Sequence, residues 1–338
     1  MKILITGGAG FIGSSIAINL KKLGHNVQTM DNFSRLGSKL NLIQLKKNKI
    51  KNFKADVTNY SSLKKFKNFN LIIDCCAEPS VESSKKNLDL TFYTNLVGTY
   101  NILKLTSKLN AKLIFLSSSR IYSILKIKKL STIKKSDSFK KFTIKENFSK
   151  EAPISFYGYS KLSSEMMIKE FSYLKNIDYI INRFGLVAGP GQFGKIDQGV
   201  ISYWIWRRLN KLKLYYKGYK GSGMQIRDVL HIDDLTFIIS EQVKKIDKIK
   251  NNVFNIGGGI KNSLTLRELN DKISQIIKKK QIILKKREIS NYDIPIYISN
   301  NSKVEKYYNW KPKHNLDKIL NDIYHWQIKN KKKLKNFF

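Results

Sequence analysis

Lys2-Ile3-Leu4-Ile5-Thr6-Gly7-Gly8-Ala9-Gly10-Phe11-Ile12-Gly13 joins a short apolar run to a glycine-rich turn, and residues with helical spacing follow as far as Leu23. Gly8, Gly10 and Gly13 have the spacing G-x-G-x-x-G, and Gly7, Gly10 and Gly13 repeat every third residue. Glycines at these places let backbone N–H groups approach a pyrophosphate, and the start of the following helix adds partial positive charge. Asn26–Met30 reads as the next strand and ends at Asp31, 18 residues past Gly13. The whole is one strand–helix–strand unit with an acid placed to accept hydrogen bonds from ribose hydroxyls and to repel a 2′-phosphate, which predicts NAD over NADP. Gly7, Gly10, Phe11, Ile12, Gly13, Asp31 and Asn32 are the expected cofactor contacts in this stretch.

Outward from this unit the alternation continues. Strands are expected at Asn52–Ala55, Leu71–Cys75, Leu113–Ser117, Tyr179–Asn182 and Val253–Ile256, with helices at Leu90–Leu109 and Tyr157–Leu174 between them. Strands alternating with helices predict an α/β, Rossmann-type, doubly wound parallel sheet. From Val187 on, short helices mix with Gly- and aromatic-rich stretches, as in a smaller mixed α/β substrate-binding lobe. The expected division is 1–186 with 229–257 for the NAD-binding domain, and 187–228 with 258–338 for the lobe. Residues 124–151 are Lys- and Ser-rich with little apolar periodicity, and read as a lid or as a plain solvated loop. The tail from Lys329 reads as frayed.

The net charge of +38 raises nucleic-acid binding, since a basic surface attracts phosphates regardless of sequence. Of the 63 basic residues, 55 are Lys, and they are spread along the chain rather than gathered on one element. Lys, Asn and Ile share A/T-rich codons, so a biased genome accounts for all three, and no specific nucleic-acid partner is expected. No run approaches the roughly 18 apolar residues of a membrane span, and no cleavable leader pattern opens the chain. A cytoplasmic protein without a membrane partner is the expectation. Cys75 and Cys76 read as two reduced thiols, and no metal-ligand spacing is found.

Tyr157 and Lys161 are four apart at the start of an expected helix and therefore share a face. An ammonium beside a phenol favours the phenolate and brings a base toward working range. Ser117-Ser118-Ser119 ends a strand on the edge where such sheets bind ligands, and Ser119 is the expected partner of the tyrosine, with Ser118 second.

Together the runs GGAGFIG, SSS, YGYSK and Thr94–Asn101 (TNLVGTYN) resemble the extended short-chain dehydrogenase/reductase (NAD-dependent epimerase/dehydratase) family over nearly the whole chain. The resemblance implies that Tyr157, Lys161 and Ser119 are catalytic. It implies that Asp56 and Val57 flank the adenine, that Ala77 lines the cofactor cleft and that Asn95 sits near the active site. Within the family, Asn182–Pro190, Gly194–Val200, Gln225–His231, Phe254–Gly259 and Ala77–Ser80 resemble the CDP-paratose 2-epimerase (CDP-tyvelose epimerase) group. That implies a nucleotide-sugar substrate, with a CDP-hexose favoured, bound by Ser119, Asp197, Gln198, Arg227 and Arg287. The group's second C-terminal Arg position holds Pro295, its later acidic position Asn300, and its glycine after the Tyr is Ser123. The implied activity is inversion of C2 through a transient keto sugar, with a UDP- or GDP-sugar 4-epimerase or a 4,6-dehydratase as alternatives within the family. A dehydratase carries Thr-Asp-Glu after the strand, where Ser119, Arg120 and Ile121 are read here. A non-catalytic NAD-sensing or RNA-binding protein is the alternative of another class. The family often forms homo-oligomers, which implies a dimer or tetramer.

Overall fold

The computed structural model describes residues 1–35, 37–133, 142–195, 198–286 and 290–337, apart from the side chains of 131–133. Two compact units emerge. One comprises Met1–Ile121, Phe156–Arg183 and Thr236–Phe254, and the other Tyr122–Ser155, Phe184–Leu235 and Asn255–Phe338. Residues 122–155, placed in the first domain by the sequence reading, group with the second unit.

The first unit is built on a seven-stranded sheet in the order Asn252–Ile256, Tyr179–Phe184, Lys112–Ser118, Leu71–Asp74, Lys2–Thr6, Asn26–Asp31, Lys51–Lys54. Each neighbouring pair from Lys112–Ser118 to Lys51–Lys54 is parallel. The chain builds outward from Lys2–Thr6 in one direction, then returns to Leu71–Asp74 on its other side. That reversal is the switch point at which doubly wound sheets bind ligands. Ile3, Leu4, Ile5, Leu71, Ile72, Ile73, Leu113 and Ile114 are fully buried, because helices cover both faces of a parallel sheet and leave no polar alternation along its strands. Leu4, Ile72, Leu113 and Phe115 pack in one core with Ile102 and Leu105 of the Gly98–Lys108 helix and Ile168 of the Phe156–Lys175 helix. Each such side chain contributes roughly 1.5–3 kcal/mol by leaving water.

The helix expected over Leu90–Leu109 is present in three pieces. Leu88–Phe92 is α-helical, Tyr93–Val97 is one π-helical turn, and Gly98–Lys108 is α-helical again. Gly98 lets this last piece lie against Val57, since a Cβ there would come within 2.8 Å of the valine Cγ2. Single π turns recur at functional sites, and this one carries Asn95.

In the second unit, Ile226–His231 pairs antiparallel with Ser263–Thr265 and parallel with Ile296–Tyr297 and Leu186–Ala188. Leu284–Lys286 and Tyr215–Lys217 form a separate parallel pair. Ile201, Trp204, Leu264, Leu269, Ile319 and Ile323 fill this unit's core. Thr265 and Glu268 form a capping box at the head of the Leu266–Ile277 helix.

Two expectations are corrected here. Ile124–Ile133, read as irregular, is a helix. Ile124 and Ile127, three apart, are buried on one side of it, and Lys126, Lys128 and Lys129 mask that spacing in a composition-based reading. The tail is docked rather than frayed through Phe337: Leu334 is buried, and the Phe337 ring packs on Phe193 at 5.4 Å. Among the described residues, no helix is long and apolar enough to cross a membrane. Both cysteines are free thiols whose pKa burial pushes up.

Candidate active site

The glycine turn follows the central strand and opens the Phe11–Lys22 helix, whose N-cap Gly10 has no side chain to cap it. Gly7 has φ +59°, a left-handed conformation that glycine adopts without strain. A Cβ on Gly13 would lie 2.4 Å from the Gly7 carbonyl oxygen, so the helix can turn this tightly only on a glycine. Gly8, absent from the expected contacts, is held equally closely, with Thr29 Cβ 2.3 Å from where its own Cβ would be. The first N–H groups of the helix have no partner within it. A turn with glycine at 7, 8 and 10 that ends at such N–H groups fits a pyrophosphate.

Asp31 ends the second strand and is 8 % exposed. One of its oxygens accepts from the Ala9 N–H (3.0 Å) and the other from the Phe33 N–H (2.8 Å). The acid is therefore tied to the glycine turn, and each oxygen keeps a lone pair for a ribose hydroxyl. Burial pushes its pKa up, against the pull of those two N–H groups and Arg35. Asn32 donates to Asp56 Oδ2 at 2.8 Å, and Thr58 donates to Oδ1 through its N–H and its hydroxyl. Burial pushes the Asp56 carboxyl up, but these donors outweigh it and hold it below its ordinary value. The Val57 carbonyl accepts from Asn101 at 2.8 Å.

The segment after Asp74 runs through Ala77 to Glu78, and Asn95 holds it in place. Asn95 Oδ1 accepts the Glu78 N–H (2.8 Å), and its amide donates to the Glu78 carbonyl (3.2 Å) and to Ser160 Oγ (2.9 Å). Asn95 thus ties the cleft wall bearing Ala77 to the helix bearing Tyr157. Glu78 also pairs with Arg35 at 3.5 Å.

Tyr157 and Lys161 lie in the first turns of the Phe156–Lys175 helix, 7 % and 3 % exposed. Of the three serines it is Ser118 whose side chain draws the Tyr157 phenol down in pKa. The strand runs to Ser118, one residue further than expected, and Ser119 opens a half-buried 3₁₀ turn, Ser119–Ile121. The Ser118 oxygen accepts the Arg120 N–H at 3.1 Å. Ser117 is engaged elsewhere, donating to Glu165 Oε1 at 2.5 Å. Glu165 and Arg183 form a buried, two-pronged ion pair, with its shortest contact 2.6 Å, that fastens this helix to the Tyr179–Phe184 strand.

Burial holds the Tyr157 phenol above its ordinary pKa, where the sequence led us to expect a lowered one; Ser118, Arg120 and Arg35 pull it back down, and Glu78 pushes it up. Burial lowers the Lys161 ammonium, opposed most strongly by Asp74. Lys161 Nζ sits 4.3 Å from the centroid of the Phe115 ring.

Of the expected substrate residues, Ser119 belongs to the first unit, and Gln198 and Arg227 belong to the second. Arg227 lies on Ile226–His231, and its guanidinium donates to the carbonyls of Ile226 (2.7 Å) and Ile294 (2.9 Å). Beside it the Tyr219 phenol is pushed up to about 12 by burial, against the pull of Arg227. Gln198 and Lys195 exchange reciprocal backbone hydrogen bonds of 2.6 and 3.2 Å. Asp197 and Arg287 lie outside the described residues. The Pro295 carbonyl accepts the Ile226 N–H, and Asn300 donates to Ile144 O and Thr143 Oγ1, so both hold backbone together. Asp228, which the sequence did not single out, is fully buried and accepts the Gly259 and Ser299 N–H groups on one oxygen. The fold also gathers His231, Asp233 and His314, with ligand atoms within 4.8 Å of one another, where no metal spacing is visible in the sequence. The His231 and His314 rings stack at 4.4 Å; His231 Nδ1 accepts the Asp233 N–H, and His314 Nδ1 is hydrogen-bonded to Asp234.

A glycine cradle at the switch point, an acid ending the second strand, and a buried serine–tyrosine pair with a lysine one turn on define a nicotinamide-dinucleotide enzyme of the short-chain dehydrogenase type. Residues 3–257 match the profile of the NAD dependent epimerase/dehydratase family, and the chain belongs to that family. It is similar to the CDP-paratose 2-epimerase of Salmonella typhi, with 25 % identity over 96 % of this chain and 99 % of that protein. It is similar also to the UDP-glucuronate 4-epimerase of Thermodesulfobacterium geofontis, with 27 % identity over 97 % of this chain and 96 % of that one. The fold matches the UDP-glucuronic acid 4-epimerase of Bacillus cereus in complex with UDP-glucuronic acid and NAD, with a TM-score of 0.81, 23 % identity and coverage of 97 % and 99 %. The cofactor is NAD, and the residues of the cradle fit it.

Proposed function

We propose that this enzyme inverts one carbon of a nucleotide-activated sugar by transient oxidation to a keto sugar, and that its substrate pair is CDP-paratose and CDP-tyvelose, inverted at C2. The observation that carries the reading is the buried Tyr157, its phenol drawn down by Ser118, with the buried Lys161 one helical turn on. Bound NAD supplies the acceptor for a hydride and gives the hydride back. Tyr157 takes the proton of the sugar hydroxyl on its phenolate oxygen and later returns it. Ser118 steadies the same sugar oxygen. Lys161 favours the phenolate through its charge. Gly7, Gly10, Phe11, Ile12, Gly13, Asp31, Asn32, Asp56, Val57, Ala77 and Asn95 hold or border the cofactor. Arg227 binds the diphosphate through its planar fork, with Gln198, Asp197 and Arg287 as further substrate contacts. Ser119, Arg120 and Ile121 form the turn after the strand, and none offers the carboxyl that dehydration needs, which favours epimerisation. The CDP reading is supported by the resemblance of the Asn182–Pro190, Gly194–Val200 and Gln225–His231 runs and by full-length similarity to the Salmonella typhi enzyme.

The enzyme works as a homo-oligomer in this reading. Leu88, Leu90, Phe92, Tyr93 and Tyr100 are exposed on the Leu88–Lys108 helical run, as are Tyr159, Met166 and Tyr173 on the Phe156–Lys175 helix. An apolar set of this kind favours contact with a second copy.

A proton NMR time course of the purified protein with CDP-tyvelose, and with no cofactor added, tests the proposal. Conversion to a fixed ratio of the two C2 epimers supports it. No conversion, with turnover of UDP-glucuronate or UDP-glucose instead, moves the reading to 4-epimerisation.

A further inference from the structure

The strand Leu71–Asp74 ends in a carboxyl that none of the roles above uses. Asp74 is 2 % exposed. Its Oδ1 accepts the Thr6 hydroxyl at 2.5 Å and the Cys76 N–H at 3.1 Å. In the parallel register Thr6, Asp74 and Phe115 lie side by side on three adjacent strands, and residues in register share a face of the sheet. Lys161 Nζ rests over Phe115, the immediate cross-strand neighbour of Asp74. An ammonium buried to this degree is costly unless a counter-charge is near.

The other buried acid close by, Glu165, is already bound to Arg183 and Ser117. The thiols of Cys75 and Cys76 are held neutral by burial. Tyr157 lies on the same helix as Lys161, and Asp31 acts on the neighbouring Cys76. Burial raises the Asp74 carboxyl and lowers the Lys161 ammonium, and each is the strongest charge opposing the other's shift.

The geometry points to Asp74 as the positioning residue of Lys161: an ionised carboxylate, fixed by the Thr6 hydroxyl, that keeps the lysine ammonium protonated in the dry floor of the cleft. This rests on the reading of Tyr157 and Lys161 as the working pair. With a neutral residue at position 74, Lys161 loses its proton at a lower pH, and turnover falls at the alkaline end accordingly.

The test uses the full chain as wild type, Asp74→Asn, Asp74→Glu, Thr6→Val and Lys161→Met, with lysine labelled at its ε-carbon. The titrating resonance absent from Lys161→Met reports Lys161. Asp74→Asn should lower its midpoint by about 1–2 pH units. Thr6→Val, which removes a donor to the ionised carboxylate, should lower it by less, and Asp74→Glu should restore most of it. The alkaline limb of kcat should move by the same amount with KM unchanged, and a change in KM without movement of the limb counts against the proposal. A midpoint in folded Asp74→Asn within about 0.3 units of wild type overturns the proposal. If that variant does not fold, an unmoved midpoint in Thr6→Val overturns it. Wild type that turns over no nucleotide sugar counts against the proposed function, and the lysine titration still decides the role of Asp74.

Discussion

Replacing Arg183 by Met leaves the Glu165 carboxylate, whose side chain is 1 % exposed, in the core without its cation. Two of its three donors disappear with the guanidinium Nε and Nη2, and only the Ser117 hydroxyl remains. Removing one partner of a buried ion pair costs about 3–5 kcal/mol, because the remaining charge is desolvated and unpaired. For a unit of this size that is a fall in Tm of about 6–20 °C. Replacing both partners by apolar residues of similar volume, Glu165→Leu with Arg183→Met, removes the stranded charge and is often close to neutral. The double variant should therefore melt within a few degrees of wild type and well above Arg183→Met. Scanning calorimetry of the three proteins with saturating NAD checks this. If the two substitutions simply add, with the double variant at least as unstable as the single one, the pair is not the fastening described. Because the pair holds the helix bearing Tyr157, Arg183→Met should also lower kcat at temperatures where it remains folded.

Gly13→Ala puts a Cβ 2.4 Å from the Gly7 carbonyl, so the cradle must shift; NAD content, measured after denaturing the purified protein, should fall at least about tenfold, the equivalent of about 1.4 kcal/mol. Burial raises the Asp228 carboxyl, against the pull of the Gly259 and Ser299 N–H groups. The stability it contributes is complete below its unfolded pKa of about 4 and is lost as pH rises through its folded value. Urea titrations from pH about 4 to 7 should therefore show the advantage of wild type over Asp228→Asn shrinking as pH rises; equal slopes would count against this. Phe92→Lys with Tyr100→Lys should shift the oligomer toward monomer in light scattering without lowering Tm by more than about 1–2 °C, since both residues are exposed.

The parts of this enzyme legible in its sequence are those governed by local backbone rules. Gly7 to Gly13 is readable because no other residue fits a left-handed turn that meets a helix start, and Tyr157 and Lys161 because four residues make one helical turn. What depends on where a strand stops is not so plain. Ser118 ends the strand and draws the phenol down because the sheet extends one residue further than the apolar run suggests. Asp74 ends an apolar strand without any motif of its own, and only the register with Thr6 and Phe115 shows its neighbours. Glu165 and Arg183 are 18 residues apart and meet only when helix packs on strand. The Ile124–Ile133 helix was hidden by its lysines, although the spacing of Ile124 and Ile127 was there to find.

In the proposed reaction the hydride leaves the sugar and returns to it without entering the solvent. CDP-tyvelose carrying deuterium at C2, incubated in ordinary water with wild type and with Tyr157→Phe, tests it most directly. Wild type should form CDP-paratose with the deuterium still at C2, and Tyr157→Phe should slow this at least about 100-fold, the usual contribution of a general base. Product in which solvent hydrogen has replaced the deuterium would contradict it, since inversion would then proceed by loss and return of a proton at carbon.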